Sequence, residues 1–260
     1  MTKKESWRQL LIFVVIYLLI LLTREYLINL LFSNHIESYR YHTLLKIGTN
    51  LILILISYFF IQKNGLLKLA GIKDSKLKKW HLLLFPLYLA MLNLVSLESV
   101  NMGLLLPNLA LLIIYSITIG VSEELSIRGF IQSYLIKRFD LTKKNIILSI
   151  LASSIFFGVM HWLNFDKCLY GELSQFFYAT FIGVMFGSLL VITKRIYPLI
   201  IIHSIIDFVA KIDSTGLPVK QKVAESVSFG NAIMTTLIVL PCIIYGLILL
   251  KRIKLIEIEK

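Results

Sequence analysis

Long parts of the chain are apolar without interruption: residues 99–122, 173–193 and 226–250 contain no Asp, Glu, Lys or Arg. A bilayer core roughly 30 Å thick is crossed by a helix of about 20 such residues. Reading every apolar run and its breaks predicts about eight spans, at 8–32, 44–62, 80–98, 108–136, 145–163, 173–193, 196–211 and 229–250. The expected fold is all-α, a polytopic transmembrane helix bundle forming one integral membrane domain over 1–260, with no internal repeat, linker or low-complexity segment.

The basic residues between the runs give the bundle a direction. They gather on alternate connections: Lys3, Lys4 and Arg8; Lys63, Lys68, Lys73, Lys76, Lys78 and Lys79; Lys137, Arg138, Lys143 and Lys144; Lys194 and Arg195; Lys251, Arg252 and Lys254. Lys and Arg are retained on the cytoplasmic side, so about eight spans place every cluster, and both termini, inside. The intervening loops are poorer in charge or mixed, as around Asp166, Lys167 and Glu172, or Lys211, Asp213, Lys220 and Glu225.

Composition agrees. Of the 260 residues 57% are hydrophobic and 16% charged, where a soluble domain carries about a quarter charged. The formal charge of +12 does not indicate nucleic acid, which needs basic residues on a soluble face beside polar or aromatic readers; here it faces anionic lipid. Cys168 and Cys242 lie in different segments without C-x-x-C spacing and suggest neither a disulfide framework nor a metal site. No small-residue cleavage site follows the apolar run Leu10 to Leu22, so a retained first span is expected, and the last residues, Glu257 to Lys260, carry no lipidation motif.

Against this background some residues are out of place. A charge at the centre of a span costs about 2.5–3.5 kcal/mol, yet Glu123, Glu124 and Arg128 fall in the fourth span, His161 near the end of the fifth, and His203 with Asp207 in the seventh. Residues four apart share a helix face: Glu124 with Arg128, Phe157 with His161, and His203 with Asp207. Glu124 and Arg128 read most simply as a structural ion pair, and a lone membrane histidine as a hydrogen-bonding strut. Glu123, about 100° away from Glu124, faces another neighbour, and together with two histidines and Asp207 it forms a set suited to chemistry. A carboxylate in a low-dielectric cavity can activate water while imidazoles orient it or stabilise an oxyanion. Two histidines and a carboxylate also make a catalytic zinc pattern, so both mechanisms stay open. There is no His-Glu-x-x-His and no Gly-x-Ser-x-Gly; Ser122 lacks the second glycine.

Three ordered motifs then carry a resemblance: Glu-Glu-x-x-x-Arg at Glu123 to Arg128 followed by Gly129, Phe-x-x-x-His at Phe157 to His161, and His-x-x-x-Asp at His203 to Asp207. Over roughly 105–212 the chain resembles the CAAX-processing and bacteriocin-processing membrane proteases, the CPBP or Abi family, whose eukaryotic branch cleaves prenylated CAAX proteins. The resemblance implies that Glu123 and His161 activate water, that His203 and Asp207 bind or stabilise the oxyanion, and that Glu124 and Arg128, with Phe157, support the site. It implies a glutamate-type endopeptidase of the cell membrane without a cofactor, a divalent metal such as zinc being the alternative, acting on a membrane-embedded or lipidated peptide or protein such as a bacteriocin, a pheromone or a CAAX-like substrate. Two departures stand out. Ser126 and Ile127 replace the bulkier apolar pair often seen before the arginine, and Asp207 stands where many members have Asn; an ionised Asp has no proton to donate.

Counting helix rise from the basic ends puts Glu123 and His161 about 20–25 Å deep and His203 nearer 10 Å, although one site requires a shared cavity. Two other functions fit parts of the pattern. A non-catalytic scaffold or immunity protein of the same fold would not need Glu123, His161 and His203 intact. A proton-coupled transporter would favour broken helices in two similar halves, a symmetry that the sequence lacks.

Overall fold

The computed structural model describes residues 3–73, 76–97, 99–139, 141–164, 169–220 and 227–252. Asp166, Lys167, Cys168, Glu225, Lys254 and Glu257 to Lys260, all considered above, lie outside them. The regular structure of the described residues is all helical and includes no strand: α1 Lys3–Ser33, α2 Tyr39–Lys63, a 3-10 turn Trp80–Leu84, α3 Leu87–Val95, α4 Met102–Glu123, a π-helical stretch Glu124–Gln132, α5 Ser133–Arg138, α6 Lys143–Met160, a 3-10 turn His161–Asn164, α7 Leu169–Thr193, α8 Tyr197–Val209 and α9 Phe229–Lys251. Several starts are set by side chains that satisfy the first free amides. Asn101 accepts from the Leu104 amide, Thr142 from Asn145 and Ser228 from Asn231.

The helical bundle is as expected, with a difference in its passes. Six helical stretches are long and apolar enough to cross a membrane. The expected spans 80–98 and 196–211 are shorter: the first is broken at Pro86 into a 3-10 turn and α3, and α8 has 13 residues, about 20 Å of helix. The chain is thus a multi-pass membrane protein with two shorter apolar helical segments, Trp80–Val95 and Tyr197–Val209, besides the six long ones. Large apolar side chains such as Leu11, Leu55, Leu106 and Leu237 point outward, as a lipid-facing surface requires.

The helix α7 is the central element, with 72% of its apolar window buried against 17% for α1. In lipid there is no hydrophobic gain from bringing apolar helices together, so close approach relies on small residues. A Cβ on Gly183 would lie 2.8 Å from the Ser154 Cβ of α6, and one on Gly246 of α9 would lie 3.0 Å from the Met185 amide nitrogen of α7. Gly120 lets α4 meet α8, where a Cβ would come within 2.9 Å of the Ile200 carbonyl.

The basic clusters meet at one end of the bundle. Lys137 donates to the Asn64 carbonyl, Arg195 to that of Ile72 and Lys143 to that of Lys251, while Arg138 lies over the Trp7 ring at 5.4 Å. At this end Leu66, Ala70, Ile196 and Leu199 have no exposed surface, and Gly71, at φ +66°, sits against the Lys194 carbonyl. The α7–α8 corner is therefore roofed by residues 66–73, and the bundle brings His203 to the same cavity as Glu123 and His161 despite the difference counted along the sequence.

Candidate active site

The site begins where α4 changes its winding. From Glu124 to Gln132 the turns widen to π geometry, and every residue in the stretch is buried. Such single stretches inside α-helices occur often at functional sites. The Ser133 hydroxyl donates to the Arg128 carbonyl five residues back at 2.9 Å, and Gln132 donates to the Gly187 carbonyl of α7 at 3.0 Å. Sequence spacing assumed a regular α-helix here; the wider turns still bring Arg128 Nη1 to 2.9 Å from Glu124 Oε1.

Glu124 and Arg128 are 0% and 1% exposed, a depth at which either charge alone would be costly. Arg128 is enclosed by rings, its guanidinium carbon 4.8 Å from the Phe157 centroid and 5.5 Å from that of Phe186. Glu124 Oε1 also accepts from His203 Nδ1 at 2.8 Å. The carboxylate thus joins α4 to α8, a third member of the cluster that spacing did not reveal.

His203 is surrounded by acids. Its Nε2 lies 3.4 Å from Glu123 Oε2 and 3.5 Å from Asp207 Oδ2, so both ring nitrogens face carboxylate oxygen. Asp207 is itself paired with Lys211, one turn further along. The sequence reading placed Lys211 among the mixed loop charges; the structure brings it into the cluster. Three carboxylates are then met by Arg128, Lys211 and the His203 ring, which balances the charge when that ring carries both protons.

His161 ends α6. Its Nδ1 lies 2.9 Å from the Phe157 carbonyl oxygen, and since a carbonyl only accepts, Nδ1 donates and the neutral ring leaves Nε2 with a lone pair. The ring stands edge-on to Phe157 at 4.7 Å, so Phe157 contacts both His161 and Arg128.

These groups border one cavity of about 540 Å³, lined by Glu123, Phe157, His161, His203, Asp207 and Lys211 with Asn93, Gln175 and Tyr178 among its other walls. The side chain of Glu123 is 28% exposed, that of Asp207 17% and that of His203 12%, so the three reach the cavity while Glu124 stays sealed behind it. Asn93, Gln175 and Tyr178 carry no motif and sit in ordinary apolar runs, which is why sequence did not mark them. No three His, Cys, Asp or Glu side chains among the described residues are grouped as metal ligands; His203 Nδ1 is taken by Glu124, and Asp207 is held by Lys211.

No curated protein and no solved structure matches the chain. Residues 104–209 match the family model described as Type II CAAX prenyl endopeptidase Rce1-like, the segment that carries the three motifs and every polar group of the cluster except Lys211. Over that segment, and over that segment alone, the chain is similar to the Rce1-like CAAX endopeptidases.

Proposed function

We propose that the protein is an intramembrane endopeptidase that hydrolyses an amide bond of a membrane-associated peptide or protein with water activated by Glu123 and His161. One observation carries this reading: a carboxylate and a histidine with a free ring nitrogen border a cavity of about 540 Å³ inside an apolar bundle, a volume within the range of ligand sites.

Glu123 is the general base. It takes a proton from water as the oxygen attacks the scissile carbonyl carbon, and His161 Nε2 orients that water by accepting its second hydrogen. The negative charge that grows on the carbonyl oxygen faces the Nε2 proton of His203. Collapse of the tetrahedral intermediate breaks the C–N bond, and the proton held by Glu123 passes to the departing amine. Asp207, paired with Lys211, acts as an acceptor that positions the His203 ring, and Glu124 holds the opposite nitrogen. The substrate reaches the cavity from the lipid phase, and the basic end of the bundle faces the cytoplasm of the cell whose plasma membrane holds it.

The test is cleavage of membrane peptides by the purified protein in detergent, followed by mass spectrometry, for wild type, Glu123→Gln and His161→Ala, each with and without a chelator. Cleavage by wild type that both substitutions abolish and the chelator spares is the expected result. Loss of cleavage on chelation would replace the water-only mechanism with a metal-assisted one. A cellular phenotype preserved in both variants would make the protein a scaffold.

A further inference from the structure

A second, much smaller cavity of about 80 Å³ lies on the other side of Glu123, lined by Tyr17, Leu21 and Arg24 of α1, Asn50 and Leu53 of α2, and Ser122 to His161 on the core side. The two cavities share three wall residues, Glu123, Phe157 and His161. The base and the histidine therefore form a partition with a chamber on each face. A water needs about 10–15 Å³ of such space, so the small chamber has room for several waters, while the large cavity is the one of ligand size.

Its walls are suited to water. Tyr17 is 5% exposed and its ring packs on Phe13 and Phe156, yet its hydroxyl has no hydrogen-bond partner among the described residues. Buried hydroxyls of tyrosine ordinarily find a partner, and the chamber is where this one faces. Asn50 gives one amide hydrogen to Thr118 and lines the chamber, and Arg24, tied on one side to Glu25 at 3.0 Å, brings a charge to its wall. Arg24 is costly in an apolar helix, and polar groups at such depth mark water-filled paths.

We propose, on the basis of the endopeptidase reading, that the small chamber is the water side of the partition and the large cavity the peptide side. Water waits between α1, α2 and α4, held by Tyr17 and Asn50, and is delivered to Glu123 from the face opposite the bound peptide. Tyr17, Arg24 and Asn50 are positioning residues; all three lie outside the segment matched at 104–209, which makes α1 and α2 part of the hydrolytic apparatus.

Two measurements test this. In the first, rapid X-ray radiolysis of the detergent-solubilised protein, which oxidises side chains beside trapped water, is read out by mass spectrometry and does not depend on any activity. Tyr17 should be labelled in wild type despite its burial, together with the half-buried Met160, and labelling of both should drop severalfold in Leu53→Phe and Ser122→Leu, which fill the chamber. An unlabelled Tyr17 in wild type would mean a dry chamber and overturn the assignment whatever the protein does. In the second, with a cleaved peptide in hand, Tyr17→Phe should lower kcat by about tenfold, the worth of one hydrogen bond, with KM unchanged, and both filling variants should do the same. Ala179→Leu, which narrows the large cavity, should instead raise KM. A raised KM or a shifted cleavage position in the filling variants would make the chamber a pocket for a substrate side chain and overturn the proposal. A wild type that is labelled but cleaves nothing would leave the chamber hydrated and remove the endopeptidase reading on which its role depends.

Discussion

Glu124 and His203, 79 residues apart in the chain, meet at 2.8 Å through the same carboxylate oxygen that receives Arg128. The oxygen therefore locks the winding of the fourth helix to the position of the eighth. Removing the acid leaves Arg128 as an uncompensated buried charge. Glu124→Ala should cost about 3–5 kcal/mol, measured by thermal or denaturant unfolding in detergent. A loss below about 1 kcal/mol would mean that lipid, water or another acid compensates Arg128.

Replacing both members of the pair is a different experiment. Arg128→Met together with Glu124→Gln removes both charges and keeps similar volume, so the double variant should be more stable than Glu124→Ala, by about 1–4 kcal/mol. At its His203 Nδ1 a neutral amide oxygen replaces the carboxylate, so the ring is no longer held by a charge and cleavage should stay impaired while stability recovers. Equal recovery of both would show that Glu124 does not act through His203.

Glu123 should behave in the opposite way. It is partly exposed to the cavity and shares no bond with Arg128, so Glu123→Gln should leave the unfolding midpoint close to that of wild type. The rate of peptide cleavage should fall by about 10²–10⁴-fold, the usual worth of a general base. A strong loss of stability in this variant would mark Glu123 as a structural acid.

Much of this division was legible in the residues. The i,i+4 spacings placed Glu124 with Arg128, and His203 with Asp207, because helix geometry fixes which side chains share a face. The alternation of basic clusters foretold one basic end because retention of positive charge acts on each loop separately. The bond from His203 to Glu124 was not legible, since nothing local encodes a contact across 79 positions. Lys211 stands four residues after Asp207 and was within reach of the same spacing rule, but its place past the apolar run suggested a loop. Hydropathy counts apolar residues and not turns of helix, so it registered the segment around Pro86 and the short α8 as full spans. It gave no sign of the π turns at 124–132, because the charges of Glu124 and Arg128 fit one face of a regular α-helix as well.

Lys211 offers a test of the positioning role. Lys211→Met leaves Asp207, a largely buried carboxylate, with only the His203 ring nearby, at 3.5 Å and without a hydrogen bond, and should cost about 1–3 kcal/mol. The double variant Lys211→Met with Asp207→Asn restores neutrality and gives the position the side chain common at this motif. Stability measured in detergent should recover in the double variant; a further loss would show that Asp207 is needed for His203 irrespective of Lys211.

The approach of α4 to α8 depends on one missing methyl group. Gly120→Ala would set a Cβ 2.9 Å from the Ile200 carbonyl and closer still to the Ser204 hydroxyl, so the helices must separate. The expected cost is about 1–3 kcal/mol, with a loss of cleavage because His203 rides on the displaced helix. Gly48, which has nothing within 4 Å, is the control whose alanine variant should be silent on both measurements.

The wide turns from Glu124 to Gln132 also act as a phase adjuster between the two ends of a long apolar helix. In a uniform α-helix the bearing of every residue follows from that of the first, at about 100° per position. Here the stretch takes up the difference, so Glu123 can face the cavity while Gln132 still meets the Gly187 carbonyl and Lys137 still reaches Asn64. A chain shortened by a single residue in this stretch could close into ordinary α-helix with all that follows still facing its partners, whereas the same deletion in the regular turns before it would rotate the rest of the helix by about 100°.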